Sequence, residues 1–160
     1  MSLINERLYR VRGIANYQFR AAIGHIVFPD NCHVEISKST RRIRRIFLDA
    51  QILATVRAHD GFLVLTIEGA RRLHNALPFP KLRVVVIQEI APFISKGRSV
   101  FAKHVKAVDP QLRAGDEVIV VDGQDRLLAV GRASLSPQEM LDLTRGVAVK
   151  TRHSTGKQKS

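Results

Sequence analysis

Between Leu3 and Ala22 the apolar residues Leu8, Val11, Ala15 and Phe19 recur three or four positions apart, the spacing of one helical face. Gly13 and Gly24 are potential breaks, so the stretch reads as one bent helix or two short ones. The period then changes to two. Val34 and Ile36, then Ile43, then Ile52, Ala54 and Val56 mark short strands over Cys32–Ser37, Ile43–Asp49 and Gln51–Arg57. Ser37-Lys38-Ser39-Thr40 and Asp49-Ala50 supply the turns between them. Asp60-Gly61 is a further turn pair, followed by a strand over Phe62–Leu65. Thr66 stands where a helix from Ile67 to about Ala76 needs its N-cap.

Leu77-Pro78-Phe79-Pro80-Lys81 breaks regular structure with two prolines, which places a domain boundary there. Beyond it the β-branched run Leu82–Gln88 reads as a strand. Ile90–Lys96 reads as a short helix with Pro92 in its first turn and Gly97 as its stop. Val100–Asp109, Glu117–Asp122 and Arg126–Ala133 follow as strands. Ser136-Pro137-Gln138-Glu139 has the form of a capping box, with Leu135 and Met140 placed as a hydrophobic staple. Gly146–Arg152 is a last strand. Val118–Val121 lacks alternation, as expected of a strand covered on both faces, and the order of elements suggests a closed or nearly closed barrel. The fold class predicted is therefore α+β, a small N-terminal α+β domain over residues 1–78 followed by a β-barrel with short helices over 79–153. Residues 154–160, without an apolar side chain, are expected to form a disordered basic tail.

Charge narrows the choice of partner. The 26 Lys and Arg residues exceed the 14 Asp and Glu by twelve. Residues 1–80 hold 12 basic and 6 acidic groups and residues 81–160 hold 14 and 8, so the surplus is not a property of the tail. Charge alone admits RNA, DNA or acidic lipid headgroups. No apolar run approaches the ~20 residues of a membrane span, and the first dozen residues do not form a secretory signal, which points to the cytoplasm and away from the membrane. The single cysteine, Cys32, excludes an internal disulfide and a multi-cysteine zinc site, and it reads as a small buried residue. The six histidines show no metal-ligand spacing. No P-loop, dinucleotide-binding glycine motif or acid–base pair is visible. Catalytic residues, metal and cofactors are thus all expected to be none.

The densest chemistry lies in Lys96-Gly97-Arg98-Ser99-Val100-Phe101-Ala102-Lys103-His104-Val105. Here a glycine, three cationic side chains and an aromatic ring offer backbone N–H groups, phosphate-pairing charge and a stacking face together. The run is followed by Asp116-Glu117-Val118-Ile119-Val120-Val121-Asp122, Ala129-Val130-Gly131-Arg132-Ala133 and Gly146-Val147-Ala148-Val149-Lys150. In this order and spacing the four segments resemble a PUA domain over Leu82–His153. The first half is similar to the domain preceding PUA in archaeal archaeosine tRNA-guanine transglycosylases, through Arg12-Gly13-Ile14-Ala15-Asn16-Tyr17-Gln18-Phe19, Arg41-Arg42-Ile43-Arg44, Asp60-Gly61 and Ile67-Glu68-Gly69-Ala70-Arg71-Arg72-Leu73.

The resemblance covers only the non-catalytic end of those enzymes. Their catalytic barrel, with its aspartate nucleophile and cysteine-held zinc, has no counterpart in 160 residues with one cysteine. The resemblance implies an RNA-binding protein that holds the acceptor stem and 3′ end of tRNA, as an accessory or split subunit serving a separate catalytic transglycosylase chain. A ribosome- or translation-associated PUA protein, and a free-standing RNA-modifying enzyme with a dispersed site, are the rival readings. The candidate RNA contacts are Lys96, Gly97, Arg98, Ser99, Phe101, Lys103, Arg132, Lys150 and Arg152. Gly97 and Arg98 are expected to offer backbone N–H groups as well as the guanidinium. Phe101 has two readings, base stacking or barrel core, and its place within a strand favours the core. If it points inward, Lys103 needs a bulge to point out. Arg41, Arg42, Arg44 and Arg45 read either as the charged guard of an edge strand or as a secondary RNA or partner surface.

Overall fold

The computed structural model describes residues 3–156, and the chain divides after Ala76 into two compact units. The first unit opens with helix α1 (Leu3–Phe19), which runs through Gly13 without a break, and a short helix α2 (Gly24–Val27). Leu8, Val11, Ala15 and Phe19 are all buried, so the predicted face is the one that packs. Strands β1 (Cys32–Ile36), β2 (Ile43–Leu48), β3 (Gln51–Val56) and β4 (Leu63–Leu65) form an antiparallel meander in the order of the sequence. Helix α3 (Ile67–Ala76) packs against β3 and α2, and α1 against β1 and β4. Thr66 does cap α3: its Oγ1 accepts from Gly69 N at 3.2 Å. Burying Val34, Ile46, Leu53, Leu63, Leu65 and Leu73 between helices and sheet supplies the main stabilising term, at about 25 cal/mol per Å² of apolar surface removed from water.

One strand placement corrects an expectation. β2, which carries Arg44 and Arg45 while Arg41 and Arg42 precede it in the β1–β2 turn, is hydrogen-bonded to β1 on one side and β3 on the other. It is an interior strand, so its charges guard no edge.

The second unit begins in the proline segment, where Lys81 N bonds Pro78 O and Arg83 N bonds Pro80 O in consecutive turns. Strand β5 (Arg83–Val86) leads through a 3₁₀ turn, Gln88–Ile90, into helix α4 (Ala91–Ser95). The single strand expected over Val100–Asp109 is instead broken into β6 (Val100–Phe101) and β7 (Val105–Val108) by a 3₁₀ corner, Ala102–His104. Strands β8 (Glu117–Val121) and β9 (Leu127–Ala133), helix α5 (Pro137–Asp142) and strand β10 (Val147–Ser154) complete the unit. The six-stranded sheet has the order β6-β10-β9-β8-β5-β7. Its two outermost strands are therefore neighbours in sequence, joined by the three residues of the corner. This is how the sheet comes nearly full circle. β8 lies between β9 and a parallel β5, and all five of its residues are buried, which accounts for its lack of alternation.

Local chemistry holds the turns. Ser136 accepts from Glu139 N and the Glu139 carboxylate accepts from Ser136 N, closing the capping box; these bonds hold the Glu139 carboxyl below its ordinary range. In the β8–β9 turn burial would raise the Asp122 carboxyl, but the N–H groups of Arg126 and Gln124 and the Arg126 guanidinium outweigh it and leave it depressed. Gly131 is demanded by packing, since a Cβ there would collide with the Lys150 carbonyl on the paired strand. The disordered tail does not begin at Ser154. Ser154 is buried at the end of β10, Thr155 N bonds Leu128 O at 3.0 Å and Gly156 N bonds Ser95 O at 2.6 Å. Residues 157–160 of that expectation lie outside the described residues. Among the described residues no helix is long and apolar enough to cross a membrane.

Candidate nucleic-acid interface

In the second unit the site is built around the end of α4. Gly97 adopts φ +106°, the left-handed region that glycine enters without a Cβ penalty. Gly97 N then bonds Ile94 O at 2.9 Å and Arg98 N bonds Phe93 O at 3.2 Å. These two bonds are the paired closure of a Schellman motif. They also correct the expected chemistry: the N–H groups of Gly97 and Arg98 are spent on the helix end and cannot receive a phosphate. What the turn presents is side chain only, the exposed guanidinium of Arg98 and the exposed ammonium of Lys96. The chain past the turn is pinned to β10, with Thr151 Oγ1 donating to Arg98 O at 2.9 Å and Thr151 N to Ser99 Oγ at 3.3 Å.

Phe101 resolves the other way from the expectation that favoured the core. Its ring is 46% exposed, while Val100 and Ala102 on either side are buried. Val100 in, Phe101 out, Ala102 in and Lys103 out is plain period-two alternation, carried from the two-residue β6 into the 3₁₀ turn after it, so Phe101 and Lys103 face out together and no bulge is needed. Arg98, Ser99 and Phe101 then line a cavity of about 240 Å³ with Ile90, Phe93, Ile94 and His104. Phe93 is 53% exposed, and the His104 ring meets Phe101 edge-on with centroids 6.3 Å apart. Phe93 and His104 escaped the sequence reading. The available signal was the adjacent pair Phe93-Ile94 in a short helix, where one large apolar side chain must face out if the other faces in.

The remaining cations divide. Lys150 and Arg132 are exposed and directly opposite one another on β10 and β9. Like charges in that position repel, so the pair is available to an anion that would relieve it. Arg152 sits at the register irregularity of β10, and its Nη1 lies 3.3 Å from Oε1 of the buried Glu117. It is tied down, unlike Lys150. Lys96, Lys103, Arg132, Lys150 and Arg152 do not line the Phe93–Phe101 cavity. The site thus combines an apolar notch with an arginine at its rim, flanked on the sheet by a cation pair.

In the first unit Arg45 is withdrawn from the arginine run. Its guanidinium grips both carboxylate oxygens of Glu35, at 2.6 and 3.0 Å, and lies 5.7 Å from the Phe47 ring centroid. The pairing hydrogen bond lowers the Glu35 carboxyl and raises the arginine. Arg41, Arg42 and Arg44 stay exposed, Arg41 with φ +62° in the β1–β2 turn. The buried Cys32 thiol is pushed up by its burial, as for an inert core residue.

Two family models match the chain in tandem: the patch-forming domain C2 of tRNA-guanine transglycosylase over residues 9–80, and the PUA domain over residues 82–155. Among curated proteins, the tRNA-guanine(15) transglycosylase of Methanothermobacter thermautotrophicus is 48% identical over 147 residues, which are 92% of this chain and 22% of that protein. The enzyme of the same name from Pyrococcus furiosus is 48% identical over 155 residues, 97% of this chain and 26% of that protein. The chain therefore spans about a quarter of the length of such relatives. A hypothetical protein of Pyrococcus horikoshii shares the fold with a TM-score of 0.74 at 22% identity, over 99% of this chain and 94% of that one.

Proposed function

Since the chain is a tRNA-guanine transglycosylase C2 domain joined to a PUA domain, we propose that it is an RNA-binding protein whose ligand is tRNA. In this reading it works in the cytoplasm as a non-catalytic accessory or split subunit, presenting tRNA to a separate catalytic transglycosylase chain in archaeosine modification. The observation that carries the reading is the notch at the end of α4, where the Phe93 and Phe101 rings and the Arg98 guanidinium converge on about 240 Å³. An unpaired base stacks on such rings while the guanidinium pairs with its phosphate. The acceptor end of tRNA offers unpaired 3′ nucleotides beside a duplex, and the exposed Lys150–Arg132 pair is suited to the duplex phosphates.

The test is binding of tRNA with and without its unpaired 3′ nucleotides across a salt series. Removal of those nucleotides should weaken binding, and the log–log salt slope should lie near −0.7 to −0.9 per phosphate contact. Arg98→Glu should weaken binding about tenfold or more and flatten the slope by about one contact. Unchanged affinity in both experiments removes the acceptor-end reading, and recovery of ribosomal subunits instead of tRNA from cells removes the tRNA assignment.

A further inference from the structure

The first unit carries a second concave surface that the notch does not explain. Two adjoining cavities of about 770 and 700 Å³ share Arg10, Ile14, Asp60 and Gly61 along their common border. The larger is lined by six arginines, of which Arg45 and Arg57 are held by Glu35 and Asp60. Arg10, Arg41, Arg42 and Arg44 have no carboxylate within ion-pair distance among the described residues. Asp60, the one acid lining that cavity, accepts from Phe62 N, bonds that hold its carboxyl low, and is paired with the Arg57 guanidinium at 2.9 Å. Its charge is already committed, so the groove keeps a net cationic lining.

The smaller cavity adds rings to this charge. Tyr9 and Tyr17 lie two turns apart on the solvent face of α1 and are 70% and 76% exposed. Gly13 lies between them with open space above it, so no side chain divides the two rings. Tyr17 stacks on Phe62 at 6.3 Å between centroids, which fixes its plane. Glu6 is the other acid on this lining, at the end remote in sequence from Tyr17. Tyr17, braced from one side by Phe62, and Tyr9 thus leave ring surface open to solvent along the cationic border, which is the form of a stacking platform.

We propose that this groove is a second nucleic-acid site, taking unpaired RNA nucleotides with their phosphates along Arg10, Arg41, Arg42 and Arg44 and their bases on Tyr9 and Tyr17. The choice of RNA rests on charge complementarity, and the inference deepens the tRNA-binding reading by giving the first unit its own share of the ligand. Cations tracking a backbone beside sequence-tolerant stacking platforms are the requirements of single-strand binding. The four arginines come from three places: Arg10 from α1, Arg41 and Arg42 from the β1–β2 turn, and Arg44 from β2, a strand paired on both sides.

The experiment uses the full 160-residue chain with a tRNA transcript and an oligouridylate of roughly a dozen nucleotides. Two double variants, Arg41→Gln with Arg44→Gln and Tyr9→Ala with Tyr17→Ala, are measured beside Arg98→Glu. The arginine pair should weaken tRNA binding about tenfold or more and reduce the salt slope by about 1.5. The tyrosine pair should weaken oligouridylate binding about 30-fold or more and leave the salt slope unchanged. Wild-type affinity in both doubles overturns the groove; a simultaneous loss in Arg98→Glu shows that the acceptor-end reading survives it. Loss in the doubles with none in Arg98→Glu supports the groove and overturns that reading instead. If the doubles melt early, crosslinking of 4-thiouridine-bearing tRNA to the unaltered chain takes their place. Crosslinks on Tyr9 or Tyr17 support the groove. Crosslinks confined to residues 77–156, or burial of both tyrosines by a catalytic chain without RNA, overturn it.

Discussion

The two units hold equal sequence surpluses of six positive charges and dispose of them differently. In the first, Arg12, Arg45, Arg57 and Arg71 meet Asp30, Glu35, Asp60 and Glu68 in surface pairs, and four other arginines, Arg10, Arg41, Arg42 and Arg44, line one groove. In the second, the ion pairs reach into the barrel. Arg83 is only 2% exposed against Asp125, while Asp122 and Glu117 are buried beneath Arg126 and Arg152. Net charge per domain therefore says nothing about where an anionic ligand can be held. What matters is which cations the fold leaves without a carboxylate, and whether they are gathered or scattered.

The contrast is sharpest at the ion pairs. Arg83→Ala should destabilise the second unit by about 3 kcal/mol, since it empties the space of a guanidinium and aliphatic stem that are only 2% exposed and takes from Asp125 its partner. Arg45→Ala in the first unit should cost far less, because its pair with Glu35 is open to water. Urea unfolding of the two variants checks this, and equal losses would erase the distinction between surface and buried pairing.

Asp122→Asn is next in size, at about 1–3 kcal/mol, because the asparagine cannot accept all the bonds that the carboxylate takes from Gln124, Arg126 N and Arg126 Nε. The folded carboxyl is depressed, so its stabilisation is complete above the unfolded value near pH 4 and is lost as pH falls through the lower folded value. Melting temperature against pH should accordingly fall less steeply below about pH 4 in Asp122→Asn than in the unaltered chain. The smallest effect is Ser136→Ala, at about 1 kcal/mol, from loss of one cap bond on an exposed helix. Thermal melts resolve it, and a loss as large as that of Arg83→Ala would mean that α5 is integral to the barrel instead of appended to it.

The first unit was largely legible because its connections are local. Alternation in Val34 and Ile36 and in Ile52, Ala54 and Val56, turn residues between strands and Thr66 as a cap all act within a few residues, and the meander joins neighbours in order. Its one error was topological: nothing in Arg41–Arg45 says whether the strand is interior, because that depends on β1 and β3 both pairing with it. The barrel's strands were legible as segments but not as a circuit. Val100–Asp109 holds no proline or glycine to mark a break, and the corner at Ala102–His104 arises because β6 must pair with β10 while β7 pairs with β5. The same nonlocality hid the exposed side of Phe101 and the withdrawal of Arg152 onto Glu117, 35 residues away. Gly97 was read correctly as a stop; its consequence for the N–H groups lay in distances that no spacing reveals.

The corner Ala102–His104 has a consequence of its own. It is the clasp of the barrel, the short link by which the two outermost strands are kept together, and it is also where Lys103 and His104 reach solvent and the notch. A ligand that grips those side chains holds the clasp shut. Occupancy of the notch and resistance of the barrel to opening are then two readings of one equilibrium, each raised by the other.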